Sequence, residues 1–230
     1  MEVLRTVLDQ PAYDHSRIFL RPIANPMPMG LLGLAGGTTA LSALQLGWVP
    51  TAQTSQVGLV VLAVAVPLQL VATVMGFLSR DAVVATGFGT LAVTWLTIGL
   101  ITASSTPGSR SKVLGLMLFY LAAAVLVSAV AASLSKLVPA LVLAVAAARF
   151  AVTGVYEYFG TAGSMHTAGW IGVALGALAL YAALAIEIES ALHRTILPTG
   201  RIGAGRRALV ADGMDAVGVP HREAGVRGQS

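Results

Sequence analysis

Arg149 is the residue that most needs an explanation. It stands in "AVAAARFAVTG", residues 144–154, about 18 Å along an apolar run that starts at Leu137, at 1.5 Å rise per residue. A guanidinium at that depth must pair, snorkel to an interface or face water. Glu157 follows eight residues on, about 12 Å along the same helix, which is too far for a direct pair. One reading is an electropositive point that attracts an anion; the other is snorkelling or a bond to another helix. Gln69, two residues after Pro67, raises the same choice. It either lines a polar path or makes an interhelical hydrogen bond worth about 1 kcal/mol. Thr38, Thr39, Thr73, Thr86, Thr90, Thr94 and Thr97 lie in apolar surroundings too, where a threonine more often bonds its own helix backbone than a solute.

Catalysis finds little support. Cysteine is absent, which removes disulfides, thiolate metal sites and a cysteine nucleophile. "GTAGSMH" places Ser164 and His166 two residues apart, a spacing that does not readily give base-to-nucleophile geometry. No other histidine lies in an apolar stretch. The expectation is a non-enzyme with no cofactor and no metal. Asp81, Glu157, Glu187 and Glu189 all fall near the ends of apolar runs. A transporter driven by a titrating carboxylate is expected to hold one at the midplane, so the pattern points to a passive or weakly coupled path.

The elements that must position these side chains are membrane helices. The 230 residues are 56% hydrophobic and 10% charged, with mean hydropathy +0.81, against about 25% charge in soluble domains. Six windows reach the roughly 20 apolar residues that a span requires: 27–46, 57–78, 82–104, 113–134, 137–160 and 168–188. Between them stand "LGWVPTAQTSQ", "SRDA", "SSTPGSRSK", "SLSKLVP" and "FGTAGSMHT". The predicted fold is all-α, a polytopic membrane protein. Residues 1–24 form an N-terminal tail, 25–190 the membrane domain, and 191–230 an Arg- and Gly-rich tail expected to be mostly disordered. The first 22 residues hold Glu2, Asp9, Asp14 and three arginines with no apolar core, unlike a signal peptide.

A net charge of +4 and a pI near 9.9 resemble those of a nucleic-acid binder, but the basic residues sit mostly in the tails. Arg5, Arg17, Arg21, Arg80, Lys136, Arg194, Arg201, Arg206, Arg207, Arg222 and Arg227 fall on one side of a six-span topology; Arg110 and Lys112 fall on the other. This asymmetry predicts both termini in the cytoplasm, with no nucleic-acid partner; the excess of arginine over lysine and the abundant alanine point to a bacterial genome, and the expected location is the inner membrane. Gly33 with Gly37, and Gly172 with Gly176, permit close helix crossings, within the chain or between copies.

The first span opens with "NPMPMGLLGLA". The first four N–H groups of a helix lack internal partners. Proline in the first turn removes such a donor and already has helical φ, and an asparagine before it caps another. The signature resembles the Asn-Pro-x-Pro-x-Gly-Leu motif of the acetate uptake transporter family, which includes bacterial succinate–acetate permeases. The similarity continues through Gln69, Ala72, Phe77, Ala85, Thr86, Phe88, Trp95 and Leu96 to "HTAGWIG" at 166–172, Tyr181 and "RTILPTG" at 194–200.

The resemblance implies six helices around a pore in each protomer, a homohexamer in the lipid bilayer, and passage of acetate and related small monocarboxylates, sometimes succinate, passively or proton-linked. It places Asn25, Thr38, Gln69 and Thr86 on the substrate path, to which Arg149 adds a charge. The family's aromatic and leucine constriction falls on Leu34, Leu91 and Ala146. There the sequence departs, with leucines where the family has phenylalanine and tyrosine, and a wider ring is the expectation. "AVP" replaces the usual Gly-Gly before Gln69, Gly76 replaces an acidic residue, and the glutamate of the sixth span is shifted to Glu187. Two other functions fit the residues: a channel for small neutral solutes such as urea, amides or ammonia, and a sensor or scaffold that uses the basic tail.

Overall fold

The computed structural model describes residues 24–192 and 195–200. Six long helices follow in order: α1 (Met27–Gln45), α2 (Thr54–Leu78), α3 (Ala82–Ser104), α4 (Lys112–Ser133), α5 (Leu137–Phe159) and α6 (Ala162–Leu192), with one 3-10 turn at Thr51–Gln53. All six are long and apolar enough to cross a membrane. The protein is all-α, as the hydropathy pattern predicts, and most helix ends lie within three residues of the predicted spans.

The sixth span is the exception. It was predicted to start near 168 but starts at Ala162, because nothing in "AGSMHT" stops a helix. Only Thr161 separates it from Gly160, whose φ of 81° ends α5. Ser164 and His166 therefore lie on the first turns of α6, not in a loop. The Ser164 hydroxyl is bonded to the Thr161 hydroxyl and carbonyl, at 2.6 and 2.7 Å.

Local chemistry fixes the other boundaries. Asp81 Oδ1 accepts the Val84 N–H at 3.0 Å and starts α3. Ser111 Oγ accepts the Leu114 N–H at 3.2 Å and starts α4. Both are N-caps that satisfy donors no helix can satisfy itself. α5 is started differently. Its Leu137 and Val138 N–H groups donate to the carbonyls of Gly200 and Thr199, at 2.9 and 3.2 Å. At the beginning of the segment expected to be mostly disordered, α6 runs on to Leu192, and residues 195–200 fold back onto the head of α5. The rest of that tail, and the N-terminal tail, lie outside the described residues.

Each helix packs on its neighbours in sequence, and α6 returns to α1, so the six form a closed ring, with α1 also touching α3. Helices of odd number run one way and those of even number the other. Glycines bring α1 close to both its neighbours. A methyl group at Gly33 would meet Leu68 Cβ at 3.0 Å and the Ala65 carbonyl at 3.2 Å on α2; one at Gly176 would meet Thr38 and Thr39 at 3.3 Å. The small-residue pairs thus serve contacts inside the protomer. Outward faces carry Leu59, Val60, Leu70 and Val74 on α2 and Leu180 and Leu184 on α6, all exposed.

Candidate permeation path

Two cavities enter the ring from opposite ends. The lower one, about 30 Å³, is lined by the first turns of α1, α3 and α5, including Met27, Leu31, Leu34, Phe88, Leu91 and Leu143, and is apolar. The upper one, about 100 Å³, is lined by the other ends of the same helices and the loops beside them. Its polar lining includes Gln45, Thr54, Ser111, Thr153, Tyr156 and Glu157, its apolar lining Leu41 and Ile98. The Ser111 N–H donates to Glu157 Oε2 at 2.8 Å, which fixes that carboxylate on the wall.

The turns between the cavities form a plug. On α1 it falls at Thr38, on α3 at Thr94 and Trp95, on α5 at Ala146, Arg149 and Phe150, and all six residues have no exposed surface. Trp95 and Phe150 meet edge to face with centroids 5.5 Å apart. The guanidinium of Arg149 lies over Trp95, its carbon 5.4 Å from the ring centroid, within range of an attraction worth 0.5 to about 2 kcal/mol.

Arg149 neither snorkels nor meets a carboxylate. Its Nη2 donates to Thr38 O at 3.3 Å, Ser42 Oγ at 3.2 Å and Gln45 Oε1 at 3.4 Å, all neutral groups on α1. These are long beside the roughly 2.7–2.9 Å of a charge-assisted bond, and three acceptors share two hydrogens. Nε and Nη1 are buried without a partner. Gln45 completes the cluster by donating from Nε2 to Thr153 Oγ1 at 3.3 Å. A buried cation with neutral partners and unused donors attracts an anion, because burial weakens the competition from water.

The other site residues divide. Thr38 belongs to the plug. Its hydroxyl donates to Gly172 O on α6 at 3.3 Å while its carbonyl receives Arg149. Leu34 and Leu91 meet in the lower cavity, and Ala146 is buried one turn above Leu143. All three residues have no exposed surface, and Trp95 and Phe150 stand one turn beyond Leu91 and Ala146. Asn25 is exposed below α1, where its Oδ1 accepts the N–H of Met27, the first residue of the helix, at 3.1 Å.

Thr86 lines neither cavity. α3 turns it to the outer stripe with Val93, Leu96 and Leu100, away from Gly87, Leu91 and Thr94, and its hydroxyl donates to its own helix at Ala82 O, 2.7 Å away. Thr73, Thr90, Thr94 and Thr97 bond backward in the same way.

Gln69 is fully buried between α2 and α1. Nε2 donates to Gly30 O at 3.4 Å, Oε1 has no partner, and the residue lines neither cavity. Gln69→Leu loses one long bond and one unpaired oxygen together. Its stability is expected to stay within about 1 kcal/mol of wild type in thermal melts; a loss of several kcal/mol would show that Oε1 has a partner.

Sequence reasoning missed Ser42, Gln45 and Thr153 as members of the Arg149 cluster and took Trp95 only as part of a motif. A signal existed. Ser42 and Gln45 follow Thr38 by four and seven residues, and Thr153 follows Arg149 by four, so each set shares one helix face.

A family model described as the GPR1/FUN34/yaaH family matches residues 10–199. Among solved structures, one titled "Structure of the bacterial acetate channel SatP" superposes with a TM-score of 0.69 at 24% sequence identity, covering 78% of this chain and 100% of that one. The comparison with curated proteins gave no significant match.

Proposed function

The chain belongs to the GPR1/FUN34/yaaH family, the family its signature resembles, and from that premise we propose a membrane channel or transporter for acetate and related small monocarboxylates, passive or proton-linked. The observation that carries this reading is the arrangement of two cavities at opposite ends of α1, α3 and α5 with Arg149 on the turns between them, buried among neutral partners. The likeness to the bacterial acetate channel SatP supports the fold and suggests acetate as the substrate.

The solute enters past Asn25 or from the upper cavity, crosses the plug beside Thr38 and Arg149, and passes Leu34, Leu91 and Ala146. Gln69 supports α1 from behind and keeps one free oxygen. A fixed positive charge favours a carboxylate over urea or ammonia, so the neutral-solute reading loses ground. The assembly is a homohexamer in the bilayer of a bacterial inner membrane. Its protomers meet through the exposed apolar faces of the ring, whose remaining surface faces lipid.

Uptake of labelled acetate and labelled urea into proteoliposomes, with and without an imposed pH gradient, tests the reading. Acetate uptake well above that of protein-free vesicles is expected, and urea uptake near background. Urea uptake without acetate uptake would overturn it. Tags on both termini are expected to be protected in intact cells and reached in inverted vesicles. Opposite sides for the two ends would contradict an even number of crossings.

A further inference from the structure

We propose that Arg149 is a binding site for the carboxylate of the permeant acid in its anionic form, entered from the upper cavity, and that Gln45 Oε1 stands in this structure where one carboxylate oxygen binds. The inference rests on the reading of a monocarboxylate path and names the chemistry of its central step.

The chemistry of the guanidinium carries the argument. A carboxylate binds it best through two parallel bonds. Either edge that offers such a pair combines Nη2 with one other nitrogen. Here the other nitrogens, Nε and Nη1, are free of hydrogen bonds, while Nη2 holds three acceptors. A carboxylate must therefore displace one of them.

The three are not equally held. Thr38 O is helix backbone. Ser42 Oγ makes the shortest contact, 3.2 Å, and Ser42 is fully buried. Gln45 Oε1 makes the longest, 3.4 Å, and Gln45 is the one of the three residues that lines the upper cavity. Its amide has a second anchor at Thr153 Oγ1, also on the cavity wall, about which it can turn aside. An amide oxygen carries a fraction of a charge and a carboxylate oxygen about half a unit, so the exchange favours the anion. Leu41 and Ile98 on the same wall offer an apolar surface for a short alkyl chain, and a cavity of about 100 Å³ limits its length. The seal between cavity and plug is then Gln45 itself, opened by the ligand that replaces it.

Binding of acetate, propionate, acetamide and chloride to the purified full chain, followed by calorimetry and thermal stabilisation, tests the site. Acetate and propionate are expected to bind saturably, acetamide and chloride at least about tenfold more weakly, as expected for loss of one charged two-point contact. Arg149→Gln is expected to lose acetate binding by at least about tenfold, and Arg149→Lys, which keeps charge without the fork, to retain part of it. Gln45→Met, which removes the competing oxygen at similar size, is expected to bind acetate more tightly than wild type.

Acetamide binding equal to acetate would overturn the claim that charge is recognised, and chloride binding equal to acetate would overturn the carboxylate. Weaker acetate binding in Gln45→Met would make Gln45 a ligand, not a stand-in, and would overturn the displacement. If Arg149→Gln does not fold, the wild-type ligand series and Gln45→Met decide. Acetate uptake without saturable binding would sink this site and leave the function standing; binding without uptake would do the reverse.

Discussion

Leu34→Phe with Leu91→Tyr is expected to cut uptake of propionate and butyrate by about tenfold or more while reducing acetate uptake less, since one misfitting methylene in an apolar site is worth about tenfold and upward. Both leucines are inaccessible and share the wall of a lower cavity of about 30 Å³. Two aromatic rings in that space overfill it. Phe88 already stands on the same wall, and Trp95 and Phe150 close the ring one turn above, so the new rings have no direction of relief except into the cavity. Overpacking of this kind also costs about 1–3 kcal/mol of stability, so uptake must be normalised to folded protein. A substrate series in proteoliposomes checks the outcome. Equal losses for acetate and the longer acids would mean that size is set elsewhere, and unchanged uptake of all of them would mean that the lower cavity is not on the path.

Gly172→Ala is expected to abolish most acetate uptake. A methyl group there would collide with Ser42 Oγ and Arg149 Nε and come within 2.9 Å of Arg149 Nη2. The serine can rotate, but the guanidinium is enclosed by Trp95 on one side and α1 on the other, and it must leave its place. A fall of about tenfold or more corresponds to roughly 1.4 kcal/mol of lost interaction, which is small beside the disturbance. Melting should shift by the equivalent of about 1–3 kcal/mol. Gly163→Ala, on the same helix with nothing within 4 Å of the added methyl, is the control and is expected to transport normally. Normal transport by Gly172→Ala as well would show that the place of the guanidinium does not matter.

The fold was legible because its signal is physical and local. Twenty apolar residues between breakers can only be a span, and Asp81 and Gly160 mark ends by their own chemistry. The head of α6 was not, since a helix that begins in polar residues leaves no trace in hydropathy. Nor was the order of residues 195–200, which depends on bonds to Leu137 and Val138 far away in sequence. Within the site, Arg149 announced itself as a charge out of place, but its partners did not. Ser42, Gln45 and Thr153 are ordinary polar residues near span ends until closure of the ring lets Arg149 of α5 reach across to α1. Thr86 shows the opposite failure. The motif located it, and the rotation of α3 then turned it outward.

Acetate and acetamide are nearly the same size and differ in charge, so their uptake by wild type and Arg149→Gln in the same proteoliposomes bears most directly on the account. Wild type is expected to pass acetate at least about tenfold faster than acetamide, as the charged contact at Arg149 requires, and Arg149→Gln to bring the two rates together by slowing acetate. Acetamide passing as fast as acetate through wild type, or a ratio unchanged by Arg149→Gln, would contradict it.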